Sequence, residues 1–137
     1  MSRGIALMAA VIVLGSLGAW WWGARGSESS AAAGGTGVKA TVHLDSFVLN
    51  LADAGQRSYL RVGIDLGIGR ELGRDNPPPV ALVRDTILGV LAQAKVEELL
   101  TARGKENLKA ELLRTLNQRV PQLEVREIYF TEFLVQR

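Results

Sequence analysis

The chain has 137 residues, room for one domain and little else, and its 16 basic and 14 acidic side chains leave a net charge of only +2. The charges are interspersed, with fourteen basic and thirteen acidic residues beyond Gly37, which is not the footprint of a nucleic-acid binder. The absence of cysteine excludes disulfides, thiolate metal sites and cysteine nucleophiles.

Residues 1–4 form a short amino-terminal end. Residues 5–23 carry no charge and are flanked by Arg3 and Arg25; as a helix they would span roughly 28 Å, close to the hydrocarbon thickness of a bilayer. Trp20, Trp21 and Trp22 close this segment, where indoles favour the membrane–water interface. A cleaved signal peptide is the competing reading, with Ser16-Leu17-Gly18 or Ala31-Ala32-Ala33 as the small-residue site. A retained anchor accounts for the length and the Trp cluster together. Ala6 with Ala10, and Gly15 with Ala19, fit the small-xxx-small pattern of paired helices, although membrane helices are rich in such residues anyway. Both readings export the rest of the chain, and the simplest topology keeps the short amino end in the cytoplasm. Residues 24–37 are a linker whose Gly-, Ser- and Ala-rich part, Gly26 to Gly37, behaves as a flexible tether of about 20 Å root-mean-square length.

Residues 38–137 form the folded domain. Val38, Ala40, Val42 and Leu44 share one parity and Phe47, Leu49 and Leu51 the other, so a bulge or bend falls at Asp45-Ser46. Asp53-Ala54-Gly55-Gln56 is a turn. Leu60, Val62, Ile64, Leu66 and Ile68 then alternate with outward residues, the mark of an antiparallel strand with one wet face. Its outward Gly63, Gly67 and following Gly69 indicate either a twisted or bulged edge or the close approach of a neighbouring chain.

After Pro77-Pro78-Pro79, a helix runs to about Gln93 on a stripe of Val83, Ile87, Val90 and Leu91. Lys95 to Leu100 is a further turn or short helix, with Leu99 and Leu100 as core residues. Thr101 caps a last helix to about Arg119 that buries Leu108, Leu112, Leu116 and Val120. Lys105, Glu106, Lys109, Glu111 and Arg114 mark its solvated face, and Pro121 ends it. The closing strand from Val125 changes parity twice, so it is either bulged or central and covered on both faces. As the segment that gives the earlier strands a partner, it reads as the centre of the sheet, with Phe130, Phe133 and Val135 in the core. The fold class is α+β: a small mixed or antiparallel three-stranded sheet covered by two to three helices, preceded by one transmembrane helix.

No constellation of residues carries chemistry. His43 is the sole histidine, and its parity partners Lys39, Thr41 and Asp45 place it on a solvent face. Asp45, Asp53 and Asp65 read as turn formers and face residues, Glu97-Glu98 as a helix surface, and no Gly-rich loop leads into a helix with a lysine. No catalytic, cofactor-binding or metal-binding residue is assigned, and no cofactor, nucleic acid or small-molecule substrate is expected.

Several stretches taken together resemble the flagellar basal-body-associated FliL family: Phe47-Val48-Leu49-Asn50-Leu51-Ala52-Asp53, Tyr59-Leu60-Arg61-Val62, Arg84-Asp85-Thr86-Ile87-Leu88, Glu97-Glu98-Leu99-Leu100-Thr101 through Gly104-Lys105, and Tyr129-Phe130-Thr131-Glu132-Phe133-Leu134-Val135-Gln136. The last is the most specific. The resemblance implies a single-pass inner-membrane protein, amino terminus cytoplasmic, whose stomatin-like (SPFH-like) domain lies in the periplasm beside the flagellar motor; with no catalytic constellation present, it reads as a non-enzymatic scaffold. It would bind the motor's stator units and basal-body components, form homo-oligomeric rings, and support flagellar rotation, swimming, swarming and chemotaxis. Two departures stand out: only Arg3 precedes the apolar segment, and the family's Thr-Pro-Glu-Gly helix start reads Thr101-Ala102-Arg103-Gly104. The alternatives are a stomatin-like periplasmic scaffold or sensor not tied to motility and, third, a periplasmic enzyme dependent on His43.

Overall fold

The computed structural model describes residues 37–53 and 55–137. The apolar segment 5–23, its small-residue pairs and the linker up to residue 36 lie outside the described residues. Among the described residues, no helix is long and apolar enough to cross a membrane.

Three strands form one sheet in the order β1 (Ala40–Asp53), β2 (Gln56–Ile68), β3 (Val125–Gln136), antiparallel throughout. Between β2 and β3 come α1 (Val80–Leu91), the single turn α2 (Val96–Leu99), α3 (Ala102–Arg119) and a 3-10 turn, Pro121–Leu123. The sheet is therefore not mixed. Its centre is β2, and the closing strand is an edge. The reason is chain geometry: the helical excursion returns to the end of the sheet it left, where Gly69 N–H donates to Glu124 C=O at 2.7 Å, so β3 must run antiparallel along the free side of β2.

The central strand buries its whole inward row, Leu60, Val62, Ile64, Leu66 and Ile68. Both neighbours contribute to the same core, β1 through Val42, Leu44, Phe47 and Leu51, and β3 through Val125 and Ile128. Helices α1 and α3 complete it with Val83, Ile87, Leu91, Leu108, Leu112 and Leu116. Two expectations about this core change. Leu100 points outward at 55% exposure, and Val96 is buried beside Leu99 instead. Phe130, Phe133 and Val135 pack against the core but are only half covered.

The parity changes resolve as three bulges. Leu44 pairs with Ile64 and Phe47 with Val62, so Asp45 and Ser46 together oppose Gly63. Gly63 pairs with Glu132 and Ile64 with Phe130, while Gly67 pairs with Glu127 and Ile68 with Val125, which leaves Thr131 and Arg126 as the extra residues of β3. A Cβ on Gly63 would run into Thr131 Oγ1 and lie 3.3 Å from Glu132 Cβ. A Cβ on Gly67 would lie 3.1 Å from the Tyr129 ring, and one on Gly69 would lie 2.7 Å from Arg126 Nε. The glycines thus mark close approach by side chains of this same chain on a central strand, not an exposed edge. Gly63→Ala should destabilise the domain by about 1–2 kcal/mol in urea unfolding, because Thr131 and the bulge must move to admit one methyl group. An unchanged midpoint would mean that the bulge yields freely.

Helix α3 is held at both ends. Thr101 Oγ1 accepts from Gly104 N–H at 2.9 Å as a helix cap. Asn117 Nδ2 donates to Leu113 C=O at 3.0 Å and to Val125 C=O at 2.9 Å, tying the last turns to the start of β3. Lys105 and Lys109 are not simply solvated as expected: their ammonium groups stand 4.9 Å over the Phe133 ring and 5.4 Å over the Phe130 ring, so their stems roof the aromatic pair.

Candidate functional site

Among the described residues, the helices cover one face of the sheet and leave the other open. Strand pairing sorts that open face into rows. His43, Asp65 and Tyr129 are cross-strand neighbours in one row, and Val48, Arg61 and Leu134 in another. His43 Nδ1 and Asp65 Oδ1 are 2.7 Å apart, and the imidazole remains 75% exposed. This contact fixes the ring and leaves its other nitrogen facing water. Asp45 sits in the β1 bulge, where its carbonyl accepts from Arg84 Nη1 at 2.7 Å, and Asp53 lies in the last backbone pair of the hairpin. Among the described residues no three His, Asp or Glu side chains form a group that could hold a metal ion. The structure therefore brings His43 and Asp65 together but adds no third member to them.

The other end of the open face is different in character. Val48 is 67% and Leu134 48% exposed, Tyr59 is exposed nearby, and Arg61 between them pairs with Glu132 at 3.1 Å. Apolar side chains flanking an Arg, with a Tyr beside them, have the composition of a protein-contact centre.

The helix layer has a second uncovered surface. Helix α1 contains only Arg84 and Asp85 as charged residues. Its inward stripe, Val83, Thr86, Ile87 and Leu91, is buried, and Arg84 lies over the Phe47 ring with its guanidinium carbon 4.2 Å from the centroid. Exposed Leu82 and Leu88 flank its outward edge about 120° apart around the helix, with Asp85 between them reaching Arg119 at 3.4 Å. A helix that is apolar nearly all round normally has partners on both sides. This signal was present in the sequence, and a search for catalytic groups passes over it.

Between α1, α2 and α3 runs an open groove of about 610 Å³, floored by Val90, Leu99 and Leu108 and rimmed by Gln93, Glu111 and Arg114. Its lining carries Glu98, Glu111, Arg114 and Arg119, and two of these pair with each other. Arg114 hydrogen-bonds the Glu111 carboxylate and so holds that carboxyl below its ordinary range, while the carboxylate raises Arg114 further. The sign follows directly: this pair helps the folded state above the ordinary carboxylate pKa and loses its effect as pH falls through the depressed one. Glu111 is fully solvated, so the contribution is screened. Among the described residues, no buried polar side chain without a hydrogen-bond partner lies in the groove.

Comparison with known proteins follows the same boundaries as the fold. Residues 41–136 match the family described as "Flagellar basal body-associated protein FliL". The flagellar protein FliL of Aquifex aeolicus (strain VF5) is 33% identical over 95 residues, covering 66% of this chain and 56% of that protein. The matched stretch therefore spans little more than half of that relative.

Proposed function

Because the chain belongs to the FliL family of flagellar basal body-associated proteins, we propose that it is a non-enzymatic scaffold of the flagellar basal body, held in the inner membrane by residues 5–23, that binds and stabilises the stator units of the motor. The observation that carries this reading is the extent of the family match, which runs through every strand and helix of the domain. Two uncovered apolar surfaces on a domain of this size, one on each layer, are what a scaffold needs and what a one-site enzyme does not.

The mechanism needs no chemistry. Copies anchored to one bilayer meet at high effective concentration, so weak lateral contacts suffice to close a ring. A ring that engages only the working conformation of a stator unit shifts its population toward that state by the difference in binding free energy. Swimming, swarming and chemotactic movement under load are the readouts. In a strain lacking the protein, stator units should leave motors faster at high load, and cross-linking in intact cells should recover stator and basal-body proteins attached to this chain. Normal motility with normal stator retention under load would overturn the reading.

A further inference from the structure

We propose that the two uncovered surfaces bind each other between copies: the outward side of α1 on one chain docks across the Val48–Arg61–Leu134 row of the next. The proposal rests on the self-association contained in the scaffold reading and names its contact surfaces. Each surface has the same plan with opposite charge. On the sheet, an arginine stands between two exposed apolar residues in register across three strands. On the helix, Asp85 stands three residues after Leu82 and three before Leu88, with the two exposed leucines about 60° to either side of it around the helix.

The spacings agree. Two strand intervals separate Val48 from Leu134, about 9.6 Å. Six residues of helical rise separate Leu82 from Leu88, about 9 Å. With α1 lying along the row, both apolar residues find an apolar partner while Asp85 meets Arg61. The two charges already have exposed partners in their own chain, Glu132 for Arg61 and Arg119 for Asp85. Docking therefore joins two solvated pairs into one four-charge cluster, without burying an unmatched charge. Gly89, exposed four residues after Asp85 and at the lip of the groove, has open space beyond its Cα. The two surfaces lie on opposite sides of a two-layer domain, so the contact is head-to-tail and propagates from copy to copy.

The chain has no native cysteine, so engineered thiols can report this contact by disulfide formation in cells. The full chain carrying both Leu88→Cys and Leu134→Cys should give a ladder of linked multimers, while either single variant gives none. Dimers from Leu88→Cys alone would reveal a two-fold α1–α1 contact, and dimers from Leu134→Cys alone a sheet-to-sheet one. Either result overturns the proposal, as does an adduct formed only with a different protein. Asp85→Arg and Arg61→Glu should each weaken co-purification of differently tagged copies about tenfold, and their combination should recover to within about threefold of the parent. A combination no better than the worse single variant overturns the pairing. Because Arg61→Glu sets two carboxylates side by side, Leu134→Lys is the second variant on that face, expected to weaken co-purification with an unchanged unfolding midpoint. Copies that co-purify without forming the ladder overturn this interface and leave the scaffold reading standing. Loss of all self-association overturns both the interface and the ring.

Discussion

Gly104→Ala is expected to destabilise the protein by about 3 kcal/mol, roughly 15 °C in Tm, the reverse of the usual effect of that substitution in a helix. Gly104 occupies the first turn of α3, and a Cβ there would collide with the carbonyl oxygen of Glu98 and lie 2.5 Å from its carbonyl carbon. Those atoms belong to backbone, so no side chain can swing aside. The same Thr101 hydroxyl that accepts from Gly104 N–H donates to Glu98 C=O, at 2.9 Å each. One residue thus stitches the end of α2 to the start of α3, and the absence of a side chain at 104 lets them meet. Thr101→Ala, which removes the cap but not the space, should lose only about 1 kcal/mol. Urea unfolding of the two variants, followed by circular dichroism, distinguishes the effects. If Gly104→Ala proves as stable as the parent, the close approach at Glu98 is refuted.

Phe47→Ala should destabilise by about 4 kcal/mol, the upper range for truncating a buried aromatic side chain. Phe47 is 1% exposed and is the first residue beyond the β1 bulge. Its ring lies under the Arg84 guanidinium, whose Nη1 also donates to the bulge carbonyl of Asp45. Arg84 therefore clamps α1 to β1 through both contacts, and truncation of Phe47 leaves a cavity and half a clamp. A double-mutant cycle between Phe47→Ala and Arg84→Ala should return a coupling of about 1 kcal/mol. Arg84→Lys should behave nearly as the alanine variant, since an ammonium cannot stack flat on the ring and reach the carbonyl in one geometry. A coupling near zero, or full retention of stability by lysine, would mean that the arginine is incidental.

The stretches that mark the family turn out to meet in space. Phe47 of the first lies under Arg84 of the third. Within the fourth, Thr101 joins Glu98 to Gly104. In the last, Thr131 lies against Gly63 and Glu132 pairs with Arg61, while Phe133 sits beneath Lys105. The loss of proline after Thr101 leaves the cap intact, because the hydroxyl and the glycine make the contact themselves.

Period and punctuation in the sequence were enough for the elements: strict alternation for β2, the parity flip for the β1 bulge, four-residue leucine spacing and a threonine cap for α3. These are local consequences of side-chain direction along a strand or helix, so no tertiary information is needed. Strand order and coverage were another matter. That β2 is central, that Leu100 faces water while Val96 does not, and that two lysines roof an aromatic pair all depend on which surfaces residues far apart in sequence present to each other. The same limit hides the candidate docking surfaces. Val48, Arg61 and Leu134 are separated by thirteen and seventy-three positions in the chain, and only the register of three strands makes them one row facing water. The apolar character of α1 was legible in its composition. Its left-over side became a surface only once the sheet had taken up the other.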